Sequence, residues 1–245
     1  ANETDPVSPA LQMSEIAPIL LGPAGLLLLL LLFGNAYTSE KEQQTLLTLR
    51  TQPLRRRELL LAKYAGLLTV TFFYLVFVAI GGWVIPVVFG DTFNDLLYPK
   101  FLETGDSFAL IPVWQHLLNA TILFLAAGAF LFALLLLIGT QLRSSFSTIM
   151  LTGFLTMIGV VLTEALPITQ TPWNPFQFFR ADRFLTEIPS NPIWLYAISA
   201  FLWSVLLLAA TIFLREGERS LFKSAEELKP YYKGKMTHLR PVWNN

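Results

Sequence analysis

The residues with the clearest capacity for chemistry are three consecutive arginines, Arg55–Arg57, followed by Glu58. A guanidinium group presents a planar fork of donors that pairs bidentately with carboxylates. Pro53 lies just before them and fixes a backbone angle suited to the first turn of a helix. Leucines follow at once, so the basic turn runs directly into an apolar segment. We interpret residues 53–58 as a short cytoplasmic helix that docks a partner or, alternatively, anchors the topology beside anionic lipid headgroups.

Most catalytic and metal-binding chemistry is excluded by what the sequence lacks. The chain has no cysteine, which excludes disulfides and thiolate metal sites. Its two histidines, His116 and His238, are expected on opposite sides of a membrane and cannot share a metal. No GxxxxGK[ST] phosphate loop, HExxH or GxSxG motif occurs. We therefore predict no catalytic site, no metal site and no P-loop binding of ATP in this chain.

The elements that must position the arginines are membrane spans. The chain is 54% hydrophobic and only 14% charged, and its apolar residues fall in runs long enough to cross a hydrocarbon core of ~30 Å. The runs lack the alternation of barrel strands. The sequence thus predicts an all-α polytopic membrane protein with five visible transmembrane helices, at Ile16–Ala36, Gly66–Phe89, Leu117–Gln141, Phe146–Leu166 and Ile193–Leu214.

The orientation follows from the distribution of lysine and arginine. Fourteen of the seventeen basic residues fall on one side of the five spans, and only Lys100, Arg180 and Arg183 fall on the other. The positive side is cytoplasmic, which places residues 1–15 outside the cell and the tail, residues 215–245, inside. We assign residues 1–214 to the transmembrane domain of a multi-pass cell-membrane protein. Because the sequence starts at Ala1 with no basic n-region, we expect a sixth span upstream, with a five-span protein whose N-terminus is processed as the alternative.

Small and hydroxylated residues recur along the fourth span at steps of four, four, three and four, which places them on one helical face. Such a stripe allows close packing of helices and hydrogen bonds between them. We interpret this stripe as a surface on which helices of the same chain pack. The alternative is that Thr152 and Thr156 line a substrate path. The stripe consists of Thr148, Thr152, Thr156, Gly159 and Thr163.

An acidic residue and a dense aromatic run follow at the outer end of this span. Glu164 either reaches interfacial water or faces a cavity that touches substrate. The run Pro172–Arg180 predicts a short re-entrant or interfacial helix that begins at Pro175. Trp173 and Phe176 in this run, together with Glu164, are candidates for the outer end of a substrate path.

Between the first two spans, an acidic pair and a Thr-Leu pair precede a proline, a hydrophobic residue, an arginine and, further on, a lysine. These positions are Glu40, Glu42, Thr45, Leu46, Thr51, Pro53, Leu54, Arg56, Glu58, Leu59 and Lys63. The arrangement resembles the segment after the second span of ABC-2 type transporter permeases. Gln44 and Ala62 depart from it, since glycine is usual at both positions.

The resemblance implies two permease subunits of about six spans each on two cytosolic ATP-binding subunits. It implies that the basic segment is a coupling helix seated in a cleft of the ATPase, formed by Pro53, Leu54, Arg55, Arg56, Arg57 and Glu58. It also implies a gate helix that relays closure of the ATPase to the first span, with Glu40, Glu42, Thr45 and Leu46. ATP and Mg²⁺ would bind in the partner subunit, and no cofactor is expected in this chain.

Two classes of function remain open on the sequence. The first is the permease subunit of an ABC exporter that moves an amphipathic or hydrophobic substrate outward, such as an antimicrobial peptide, a lipid-linked molecule or a drug-like compound. Its partners would be an ABC ATPase, a second permease chain of the same or a related kind, and membrane lipid, with no nucleic acid. The alternative is a non-transporting membrane scaffold or sensor that docks a cytosolic partner through its basic helix. A lipid-modifying enzyme is disfavoured because His, Asp and Glu do not cluster.

Overall fold

The computed structural model describes residues 16–36, 38–39, 56–88, 99–104, 107–142, 144–166, 171–180 and 192–236. Its elements are α1 (Pro23–Phe33), α2 (Arg56–Val88), β1 (Pro99–Thr104), β2 (Ser107–Pro112), α3 (Val113–Gln141), α4 (Ser145–Ala165), a 3₁₀ helix (Pro175–Arg180) and α5 (Ile193–Met236). Within these residues, five helical segments are long and apolar enough to cross a membrane: Ile16–Phe33, Arg57–Gly82, Val113–Gln141, Ser145–Ala165 and Ile193–Leu214. The prediction of five spans in an all-α membrane fold is confirmed.

Helix α3 forms the centre of the bundle and packs against α2, α4 and α5. Leu123, Phe124 and Leu131 on α3 are completely or almost completely buried. Small residues on α3 allow the neighbouring backbones to approach closely. At Gly128, for example, an added Cβ would lie only 3.3 Å from Cγ2 of Thr71 on α2. The other spans are arranged around this central helix and expose one side each.

The first span is broken just before α1. A helical turn covers Ile16–Leu20, and α1 begins at Pro23, which supplies no backbone N–H to continue the earlier turn. Next to this break, the carbonyl of Leu20 accepts a hydrogen bond from the hydroxyl of Tyr74 on α2 at 2.9 Å. The Tyr74 ring also stacks on Phe124 of α3, with ring centroids 5.4 Å apart. Tyr74 therefore connects the break in the first span to the centre of the bundle.

We expect the Tyr74→Phe variant to be less stable than the wild type. The change keeps the aromatic ring and its stacking but removes the hydroxyl that satisfies the Leu20 carbonyl. Hydrogen bonds between membrane helices average about 0.6 kcal/mol, with a maximum near 1.7. The measurement is the thermal midpoint of unfolding of the purified protein in detergent.

The Thr69→Val variant is the matched control for Tyr74→Phe on the same helix. The Thr69 hydroxyl donates to the carbonyl of Ala65 within α2. Removing this hydroxyl therefore breaks no hydrogen bond between helices. We expect its midpoint to stay near the wild-type value. Equal midpoints for Tyr74→Phe and wild type would contradict a stabilising role of the Leu20 contact.

A β-hairpin lies between the second and third spans, which the sequence analysis did not foresee. Strands β1 and β2 are antiparallel, and their register runs from Pro99 opposite Pro112 to Thr104 opposite Ser107. Two residues, Gly105 and Asp106, separate the strands in the sequence, and such a pair is typical of a two-residue hairpin connection. The hairpin leads directly into α3 at Val113, so it marks one end of the bundle, which we call the hairpin end.

The outer faces of α4 and α5 are strongly apolar. Large hydrophobic side chains on these faces are between about half and three-quarters exposed, among them Phe146, Phe154, Phe201, Leu206 and Phe213. A soluble monomer rarely exposes so large a contiguous apolar surface. These faces suit contact with lipid or with another membrane subunit.

Candidate functional site

The first part of the candidate functional site is the charged first turn of α2. Arg57 and Glu58 lie exposed in the first turn of α2, and the helix continues without a break into the second span. The described part of the predicted coupling segment is thus the first turn of a 33-residue helix rather than a separate short helix. A helix of that length is about 50 Å long, longer than the ~30 Å hydrocarbon core. Its charged turn therefore projects beyond the apolar layer.

The position of the arginines is not explained by helix stability. Cations at a helix N-terminus oppose the helix dipole, whereas Glu58 in the same turn complements it. Arg56 and Arg57 begin the helix with the unfavourable sign. Their placement therefore favours a role outside the helix, in docking or in fixing the topology.

Lys63 links this charged turn to the first span. Its ammonium group donates to the carbonyl of Ala36 at 2.9 Å, just beyond the C-terminus of α1. A cation is favourable at this end of a helix, where the last carbonyls lack partners. Lys63 lies about two turns into α2, so this hydrogen bond joins the beginning of α2 to the end of α1. We call this end of the bundle the Arg57 end.

The threonine stripe of α4 lies on one face of the helix and is buried. Within the described residues, most of its hydroxyls do not bond across to another helix, so they do not form the hydrogen bonds between helices that the stripe was expected to allow. Each threonine hydroxyl instead donates to the carbonyl four residues earlier in α4, because that acceptor is always within reach. The donor and acceptor pairs are Thr148 to Ser144, Thr152 to Thr148, Thr156 to Thr152 and Thr163 to Gly159, at 2.7–2.9 Å.

The 3₁₀ helix begins at Pro175, as the sequence predicts, and packs into the bundle near the hairpin end. Its Phe176 ring lies against Gly159, where an added Cβ would overlap the ring. Phe130 of α3 contacts Phe176 edge-on, with ring centroids 5.7 Å apart, and contacts Phe179 at 6.2 Å. Gly159 lies six residues before the end of α4 at Ala165, about 9 Å along the helix axis. The element therefore penetrates below the helix ends, as a re-entrant segment does.

Side chains on α4 and α5 fix the 3₁₀ helix in place. The Asn174 amide donates to the hydroxyl of Thr163 on α4 at 2.8 Å, and its oxygen accepts from the backbone N–H of Phe176 at 3.1 Å. The indole of Trp203 on α5 donates to the carbonyl of Trp173 at 2.8 Å. The segment is thus held from two sides. Thr163 is the member of the stripe that bonds to another element through its hydroxyl oxygen.

A cavity of about 240 Å³ lies between α1 and α4 near the 3₁₀ helix. Its inner wall includes Leu26, Leu131 and Phe179, which are 1–2% exposed, whereas Val161 on its rim is 58% exposed. The cavity therefore opens at the apolar surface of the bundle. Glu164 also lines it, as the charged residue among the described residues of its wall.

The predicted substrate-path residues are only partly brought together. Glu164 and Thr156 line the same cavity, but the Thr156 hydroxyl is used within α4. Thr152 is buried and does not line that cavity. Trp173 is exposed and Phe176 packs against Gly159, and neither residue belongs to the wall of the cavity.

Several predicted docking and gate residues lie outside the described residues. They are Glu40, Glu42, Thr45, Leu46, Pro53, Leu54 and Arg55. Their proposed roles remain predictions. The cavity itself was missed by the sequence analysis, since its walls come from segments more than a hundred residues apart.

Comparison with known protein families identifies a match over most of the chain. A family model described as ABC-2 family transporter protein matches residues 28–216, which contain the last third of the first span, all the other spans and the 3₁₀ helix. No curated protein and no solved structure gives a significant match.

Proposed function

The chain belongs to the ABC-2 family of transporter proteins, the membrane permeases of ABC transporters, and from this premise we propose that it drives export with a separate ATPase subunit. The substrate is amphipathic or hydrophobic, such as an antimicrobial peptide, a lipid-linked molecule or a drug-like compound. ATP and Mg²⁺ bind in the ATPase. This chain supplies the transmembrane path and the docking surface.

The observation that carries the proposal is the mechanical continuity of α2. Its charged first turn is one rigid helix with the second span, and Lys63 ties it to the end of α1 through the Ala36 carbonyl. A partner that pulls on Arg57 and Glu58 therefore moves two spans together. A topology anchor alone does not require the link between α2 and α1.

The orientation proposed for the complex follows from charge. The Arg57 end faces the cytoplasm of the cell, because most lysines and arginines of the chain belong to segments on that side. The C-terminal tail is then cytoplasmic, and the hairpin end and the 3₁₀ helix lie outside. Helix α5 continues 22 residues past Leu214, about 33 Å at the rise of an α-helix. That distance carries it well beyond the membrane on the ATPase side.

The substrate path is proposed to lie at the interface with a second permease chain. The apolar outer faces of α4 and α5 suit such a subunit, and five or six spans form only half of a two-sided pathway. Glu164 and the 3₁₀ helix then lie at the outer end of the path. Trp173, exposed beside them, offers an aromatic surface to an apolar chain.

Mass measurement of the detergent-purified complex tests this function. The chain is co-expressed with a candidate ABC ATPase subunit from the same organism, and we expect a particle of two permease chains and two ATPase subunits. Substrate-stimulated ATP hydrolysis by the particle provides the functional readout. A permease that stays monomeric and free of ATPase in several mild detergents would contradict the proposal and favour a scaffold or sensor.

A further inference from the structure

We propose that the cavity between α1 and α4 binds a single-chain cationic amphiphile, with its alkyl chain inside and its protonated amine at Glu164. This inference rests on the proposed function, because it names the chemical class of the exported substrate. It is drawn from the shape, polarity and position of the cavity.

The size of the cavity favours one alkyl chain. Its volume of about 240 Å³ is below the ~300–1,000 Å³ of sites for drug-sized ligands. The distance along α4 from Thr156 to Glu164 is eight residues, about 12 Å. An extended chain that reaches the level of Thr156 can therefore place its headgroup at Glu164.

The polarity of the cavity favours an apolar body with a cationic end. Leu26, Leu131 and Phe179 form its inner wall, and the hydroxyl of Thr156 is already donated to the Thr152 carbonyl at 2.8 Å. Among the described residues, the inner part of the wall thus presents no free side-chain donor, and it suits hydrocarbon. Glu164 lies at the other end of the α4 wall, in the last turn of the helix. An ammonium group pairs with a carboxylate there, whereas an anionic headgroup is repelled.

The position of the cavity favours a ligand that arrives through the bilayer. Met157 and Val161 on its rim are about half exposed at the apolar surface of the bundle. A molecule dissolved in the membrane reaches the opening sideways, without crossing water. Because Glu164 lies in the last turn of the α4 span, the charged headgroup stays near the membrane–water boundary, where a cation is tolerated.

Photo-crosslinking of the full chain in phosphatidylcholine nanodiscs tests the proposal. The probe is dodecylamine with a diazirine near the end of its chain, and labelled peptides are mapped by mass spectrometry. We expect labelling of the α4 segment around Thr156–Val161 or of α3 near Leu131. Unlabelled dodecylamine should compete, and dodecanoate should not.

Variants separate the role of the charge from that of the cavity. We expect Glu164→Gln to weaken binding of dodecylamine about tenfold or more while leaving competition by neutral dodecanol unchanged, and Glu164→Asp to retain most of the affinity. Val160→Trp fills the cavity and should abolish labelling. Ile158→Trp is the matched control, because it places a tryptophan on the same helix outside the cavity wall. This variant should be labelled as strongly as the wild type.

Three outcomes would overturn the proposal. One is labelling unchanged by Val160→Trp, and another is equal competition by dodecylamine and dodecanoate. The third is displacement of the probe by phosphatidylethanolamine in the nanodisc, which would make the cavity a membrane-lipid site. Because binding is measured without the ATPase, none of these results would contradict the proposed exporter function. Failure of the chain to recruit an ATPase, in contrast, leaves the binding result standing.

Discussion

Replacing Arg55, Arg56 and Arg57 together by alanine is expected to abolish assembly with the ATPase while leaving insertion into the membrane intact. Each charge-assisted hydrogen bond contributes roughly 1.5–3 kcal/mol. Even at the lower value, three such bonds amount to about 4.5 kcal/mol, more than a thousandfold in affinity. The spans that drive insertion are unchanged, and other basic residues remain on the same side. Co-purification of the ATPase and substrate-stimulated ATP hydrolysis are the measurements.

The triple arginine-to-lysine variant distinguishes docking from topology anchoring. Lysine and arginine count equally toward orientation in the membrane, but only arginine offers the planar fork that pairs bidentately with a carboxylate. We therefore expect the lysine variant to insert normally and to bind the ATPase more weakly than wild type. If the alanine variant assembles and hydrolyses ATP normally, the arginines serve only as a topology anchor.

The spans were predictable because the bilayer permits few alternatives. Runs such as Leu26–Leu32 have no stable place in water, so five spans follow from composition and length. Boundaries were less accurate. The second span was predicted from Gly66, whereas its helix begins at Arg56, since charged residues can continue a helix beyond the apolar run from which a span is predicted. The sequence analysis missed the hairpin, although the Gly105-Asp106 pair between its strands was a usable signal.

The candidate site was predictable only in its local parts. Helical periodicity correctly placed the threonine stripe on one face, and Pro175 correctly marked the start of a helical element. What those parts contact depends on packing between distant segments. The fit of Phe176 against Gly159 and the cavity between α1 and α4 are of this kind, and no spacing within one segment encodes them.

Substituting Gly159 by alanine is expected to displace the 3₁₀ helix and to lower both stability and transport. The new Cβ would overlap the Phe176 ring, and Phe130 stands edge-on to that ring at 5.7 Å. Asn174 and Trp203 hold the same segment from two sides, so it cannot retreat without breaking hydrogen bonds. Overpacking costs about 1–3 kcal/mol, against a gain of up to ~1 kcal/mol in helix propensity. The thermal midpoint, and transport normalised to protein in the membrane, are the measurements.

Gly153→Ala is the matched control, since it makes the same change on the same helix. There the added Cβ would lie 3.6 Å from Cδ2 of Leu30, an ordinary contact, so we expect a midpoint equal to or above that of wild type. Adding Phe176→Leu to Gly159→Ala removes the ring that is overlapped and should recover part of the lost stability. Recovery would show that the two substitutions are coupled through direct contact. Equal midpoints for Gly159→Ala and Gly153→Ala would mean that the 3₁₀ helix does not rest on Gly159, and that its position beside the Glu164 cavity has another cause.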